Sequence, residues 1–116
     1  MGNHTLLHVY IAGPYRGATP EIVRGNIARA VDLAKEVILQ TNGKWYPVIP
    51  HKNTEGLDGL QSDAYYLAGT MDQMRNCDAV LLVGGWENSL GTLGEIDEAR
   101  RLNIPVYYNI ESFLQA

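Results

Sequence analysis

The chain has 116 residues, 46% hydrophobic and 19% charged, with a formal net charge of −4. That length predicts one compact domain, and no apolar run approaches the roughly 20 residues of a membrane span. Nine basic residues scattered among thirteen acidic ones argue against a nucleic-acid duplex as partner.

Four short apolar segments, at residues 6–13, 45–50, 79–85 and 104–110, alternate with helical patterns. The alternation predicts an α/β fold: a three-layer, flavodoxin- or Rossmann-like parallel sheet of four to five strands with helices on both faces. The start MGNHTLL has neither a secretory pattern nor, with Leu6, the Ser or Thr that myristoylation prefers. With the single Cys77 at a helix–strand join, where it reads as packing, a cytoplasmic location is expected.

The first segment leads into IAGPYRG, where Gly13 and Gly17 permit close backbone approach and Arg16 offers a planar cation for phosphate or carboxylate. The same residues also read as a plain Gly-Pro turn. The next helix is capped by Thr19, has Pro20 at its first position, and carries Val23, Ile27, Val31, Ala34 and Ile38 as a stripe ending before Asn42-Gly43. Residues 51–62 mix Gly with polar groups and predict a long loop of the kind that usually has a function.

A second helix near 63–76 places Ala64, Leu67, Ala68, Met71 and Met74 on one stripe. After the third strand, GGWENSLGTLGE brings Gly-rich turns, Ser89 and Thr92 to the start of a third helix, predicted from about Thr92 to Asn103, where free amides favour an anion. Pro105 stops that helix, and a short tail follows the fourth strand. Because ligands of open parallel sheets sit at the carboxyl ends of the strands, function is expected in the loops after residues 12, 50 and 85.

Glu95 has two readings. Thr92-x-x-Glu95 matches a capping box. Projected on the helix, however, Glu95 lies within about 40° of the stripe of Ile96, Ala99 and Leu102. An inward carboxylate is costly unless it is at a cavity rim or hydrogen-bonded, which favours a functional role. Tyr10, near the end of the first strand, is either a core tyrosine or a hydroxyl within reach of that carboxylate. Trp86, the pair Tyr65-Tyr66 and His51 are candidates for contacting a base, or simply for covering loops. His4, His8 and His51 lack acidic or cysteine neighbours at ligand spacing, so no metal site is predicted.

VYIAGPYRG and NCDAVLLVGGWENSLGTLGEIDEAR together resemble the nucleoside 2-deoxyribosyltransferase superfamily, especially its short prokaryotic and phage-borne members, over nearly the whole chain. The most specific element is an aspartate, an apolar strand and a Gly-rich turn, then S-x-G-x-x-x-E-x-x-x-A, here Asp78 through Ser89, Gly91, Glu95 and Ala99. The resemblance implies that Glu95 attacks C1′ of the sugar, that Tyr10 orients it, and that Ser89 and Arg16 hold a 5′-phosphate. The family's acid for the leaving base would fall at Thr70, which leaves Asp72, and also Asp63, as substitutes reached only by a local shift. That family has a fifth strand and a C-terminal segment that completes a neighbour's pocket, of which Asn109 would be a trace. A looser resemblance, through Gly84-Gly85 and GTLGE, is to cytokinin-activating phosphoribohydrolases.

These readings predict cleavage or transfer at the N-glycosidic bond of a (deoxy)nucleoside 5′-monophosphate, with Glu95, Tyr10 and Asp72 catalytic. Gly13, Pro14, Arg16, His51, Trp86, Ser89, Gly91 and Thr92 would bind substrate. No cofactor is expected, the partner is a small nucleoside or nucleotide, and a homodimer or higher homo-oligomer is implied. A catalytically silent nucleotide-binding or sensor module of the same fold is the alternative, favoured by Thr70. A structural domain with Glu95 as a helix cap is a third.

Overall fold

A computed structural model describes residues 6–116; His4 and the Met-Gly start lie outside them. The chain runs β1 (Leu7–Ala12), α1 (Pro20–Gln40), β2 (Trp45–Val48), α2 (Pro50–Asn53), α3 (Asp63–Arg75), β3 (Ala79–Leu82), a 3-10 turn (Trp86–Asn88), α4 (Leu90–Arg101), β4 (Val106–Tyr107) and α5 (Ile110–Gln115). All four strands pair in parallel, in the order β2-β1-β3-β4.

Side chains alternate across the pleat, so each central strand supplies two faces. Val9, Ile11 and Leu81 pack with Ala30, Ala34 and Val37 of α1 and Phe113 of α5. Tyr10, Ala12, Val80 and Leu82 pack with Met74 of α3 and with Ile96 and Ala99 of α4. Helices therefore cover both faces, which is why β1 and β3 read as continuous apolar runs instead of alternating ones. Pro47 is tolerated because β2 lies at the edge of the sheet. No helix among the described residues is long and apolar enough to cross a membrane.

Helix α1 begins as its sequence dictates. Thr19 Oγ1 accepts from the Ile22 amide at 3.2 Å, and Pro20 needs no partner for its nitrogen. Its buried stripe is Asn26, Ile27, Ala30, Ala34 and Val37, rotated from the expected one, and Ile38 is exposed. Leu102 likewise lies at the exposed end of α4 as its C-cap. The tail is helical, with Asn109 Oδ1 accepting from the Ser112 amide at 2.8 Å. Asn109 therefore serves as a helix cap. Cys77 is buried, its thiol pushed up to about 11 by burial, consistent with packing.

Two corrections concern the segment 50–76. The loop after β2 opens with the single helical turn α2 before its turns at Gly56 and Gly59. In α3 only Met74 is fully buried, whereas Ala64, Leu67 and Ala68 are exposed, because the first half of this helix overhangs a cavity instead of the sheet.

Met74→Ala should therefore cost about 2–4 kcal/mol in chemical denaturation, while Ala68→Ser on the exposed flank should change stability by less than about 0.5 kcal/mol. Equal losses would restore the original stripe.

Candidate functional site

The connection from β1 turns one way to β2 and that from β3 the other way to β4, so the strand order reverses between β1 and β3. A crevice opens beyond the carboxyl ends of such a pair. The exits of the two strands lie so close that a Cβ on Gly13 would sit 2.6 Å from Val83 Cβ. Only glycine fits there without moving backbone.

After Gly13 the chain is fixed from α1. Asn26 is buried and donates through Nδ2 to the carbonyls of Tyr15 (3.0 Å) and Arg16 (3.2 Å), while its Oδ1 accepts from Arg29 Nη2 at 2.6 Å. From the other side, His51 on α2 donates from Nε2 to the Pro14 carbonyl at 3.1 Å. A carbonyl only accepts, so the ring proton is on Nε2 and Nδ1 is buried without a partner. Burial lowers the His51 pKa, keeping the ring neutral.

After β3, Gly85 takes a left-handed conformation (φ 92°) and the 3-10 turn delivers Ser89 to the start of α4. Ser89 Oγ accepts from the Thr92 amide at 3.3 Å and from Thr92 Oγ1 at 2.8 Å. It is thus the N-cap, three residues before the Thr92 that the capping-box pattern would place there, and Glu95 is free of any capping duty. Glu95 is only 6% exposed. Tyr10 Oη donates to its Oε2 at 2.5 Å, joining the central strand to α4.

Burial raises the Glu95 pKa, against the Tyr10 hydrogen bond and the nearby polar Thr70 hydroxyl, which pull it down. Burial and the adjacent carboxylate push Tyr10 well above its usual range, so it remains a donor.

This pair lies at the floor of a cavity of about 800 Å³. Gly13, Pro14, Arg16, His51, Ser89, Gly91 and Thr92 line it together with Tyr10 and Glu95, as does Thr70. Two predicted site residues are elsewhere. Asp72 points away and pairs with Arg75 at 2.9 Å on the exposed flank of α3, because two positions along a helix turn a side chain to the far side. Trp86 packs against the core and the Tyr108 ring, with centroids 5.3 Å apart, and does not reach the cavity. Of the tyrosine pair, Tyr66 lines the cavity and Tyr65 is exposed.

Arg16 is engaged. Its fork meets Asp63 at 2.5 Å (Nη2–Oδ1) and 2.9 Å (Nη1–Oδ2), and this guanidinium holds the Asp63 carboxyl below the usual range. Tyr15 donates to Asp58 at 3.1 Å, and Tyr66 donates to the Leu57 carbonyl. These contacts strap residues 57–63 across the cavity mouth. Asn26 escaped the sequence reading although an asparagine among the apolar positions of α1 was a usable signal; the pairs Tyr15–Asp58 and Arg16–Asp63 left no local signal. Among the described residues no three His, Cys, Asp or Glu side chains converge to hold a metal.

Asn26→Ala should cost about 1–3 kcal/mol, since it strands buried partners, and should raise hydrogen exchange in residues 13–17; unchanged exchange there would refute the clamp. Because the folded-state pKa of Glu95 is raised, its contribution to stability is complete below the unfolded-state value and lost as pH rises through the folded-state one. Glu95→Gln should accordingly stabilise the fold at neutral pH by about 1 kcal/mol, a gain that disappears on acidification.

No curated protein matches the chain. The model of a family described as a domain of unknown function (DUF4406) matches residues 7–108, from β1 through β4, including both loops of the cavity and the Tyr10–Glu95 pair. The chain therefore belongs to this DUF4406 family.

Proposed function

We propose that the protein cleaves or transfers at the N-glycosidic bond of a (deoxy)nucleoside 5′-monophosphate, with Glu95 as nucleophile. The observation that carries this reading is a buried carboxylate, held by a tyrosine on the central strand, at the floor of a cavity of nucleotide size. Carboxylates stabilise oxocarbenium-like transition states and divide one difficult displacement into two. The Tyr10 bond occupies Oε2, which leaves Oε1 for the anomeric carbon.

The phosphate would take Arg16 and the first amides of α4, where Leu90 and Gly91 line the rim. Asp63 now occupies the Arg16 fork. That ion pair is about two-thirds exposed on both sides and so screened by solvent, weak enough for a dianion to displace. The resemblance to nucleoside 2-deoxyribosyltransferases supports the same assignment through Ser89, Gly91 and Glu95.

A homo-oligomer fits the apolar side chains exposed near the mouth, among them Leu60, Leu67 and Leu90. A silent nucleotide-binding module is the second reading, supported by Thr70 standing at the cavity floor where an acid would be useful.

Incubation with a panel of nucleoside 5′-monophosphates should release free base, detected by chromatography, and Glu95→Gln should lower the rate by at least about 1,000-fold. The rate should fall on acidification as the raised Glu95 pKa is crossed. Nucleotide binding without release from wild type would favour the silent module, and absence of both would sink the proposal. Arg16→Gln should weaken monophosphate binding about tenfold or more, whereas Asp63→Asn should strengthen it; calorimetric titration reads both.

A further inference from the structure

A displacement at an N-glycosidic carbon needs a nucleophile and, for an ordinary neutral base, a proton for the departing nitrogen. The cavity supplies the first. Its carboxyl, imidazole and phenol groups, the side chains acidic enough for the second role, are all committed elsewhere among the described residues.

Three carboxyl groups line the cavity: Glu95, Asp58 and Asp63. Glu95 must be ionised to attack. Asp63 pairs with the Arg16 fork at the mouth, where its side chain is 69% exposed, so it is an ionised surface carboxylate whether or not a phosphate takes that fork. Asp58 accepts from the Tyr15 hydroxyl on both its oxygens, so Tyr15 spends its proton there. The single ring proton of His51 is directed at the Pro14 carbonyl, and Tyr66 donates to Leu57. At the floor stands Thr70, an alcohol that donates to the Leu67 carbonyl at 3.2 Å and is far too weak an acid for the task. Asp72 lies outside.

We infer that the site takes N-glycosides whose base departs without a proton, namely nucleoside 5′-monophosphates carrying a positively charged, pyridinium-type base. This rests on the glycosidic reading above. In the first step a Glu95 oxygen bonds to the anomeric carbon, and the C–N electron pair leaves with the base, which becomes a neutral molecule. In the second, water bonds to the same carbon, the ester electron pair returns to Glu95, and the water proton goes to solvent.

The electrostatics of the cavity point the same way. Three carboxylates line the cavity with one guanidinium, so the interior that remains once a phosphate takes that guanidinium is matched to a cation. Tyr15 and Tyr66 line it, and aromatic rings attract positively charged groups.

The test compares nicotinamide mononucleotide with adenosine and cytidine 5′-monophosphates on the full chain. The expected kcat/KM for the cationic base is at least about 100-fold higher, the advantage a missing general acid would otherwise level. Its pH profile should rise with ionisation of Glu95 and then stay flat to alkaline pH. Thr70→Asp, which adds a carboxyl whose proton is retained beside Glu95, should raise turnover of the neutral-base nucleotides at least about tenfold and add an alkaline limb.

Comparable wild-type rates on cationic and neutral bases, or an alkaline limb in the wild type, would overturn the inference while leaving the glycosidic reading intact. Base release from no nucleotide at all would overturn both.

Discussion

The hydrogen bond between Tyr10 and Glu95 is the constraint around which the rest of the structure is arranged. It joins residues 85 positions apart, one on the innermost strand and one on the second turn of α4. A carboxylate buried without a partner would be intolerable, and a tyrosine hydroxyl sealed under a helix nearly so. Each supplies what the other lacks. The same bond fixes the rotation of α4 about its axis: with Glu95 aimed at β1, Ile96 and Ala99 must close over Val80 and Leu82. Packing and chemistry therefore specify a single orientation of the helix.

That orientation has a demand at the carboxyl end of the same strand pair. The exits of β1 and β3 must run close enough for both their loops to border one crevice, and Gly13 is the residue that permits it against Val83. The short path makes the loop from 13 to 17 poor in regular structure, and its carbonyls are consequently satisfied by side chains from outside, Asn26 and His51. Part of the cavity wall is thus positioned by side chains reaching in from α1 and α2.

Much of this was legible from residue order alone. The Thr19-Pro20 start of α1, the four parallel strands and the inward aim of Glu95 follow from capping chemistry and from periodicity, because each is a local property. Three features resisted. The stripe assigned to α3 failed in its first half because apolar periodicity assumes a sheet beneath the helix, and here Ala64 to Ala68 overhang open space. Asp72 could serve only after a local shift, and its ion pair with Arg75 on the exposed flank holds it away. The pairing of Arg16 with Asp63, 47 residues apart, belongs to tertiary structure and leaves no trace in either neighbourhood.

The segment from Thr54 to Ser62 carries a different implication. It is held by a few side-chain contacts, and Gly56 and Gly59 both occupy left-handed backbone with open space around them. Lengthening such a segment adds only about 0.6 kcal/mol of closure entropy for each doubling. Relatives sharing this scaffold are thus free to diversify their ligand preference by insertion at one rim, while the strand tyrosine and the helix glutamate stay where the core has put them.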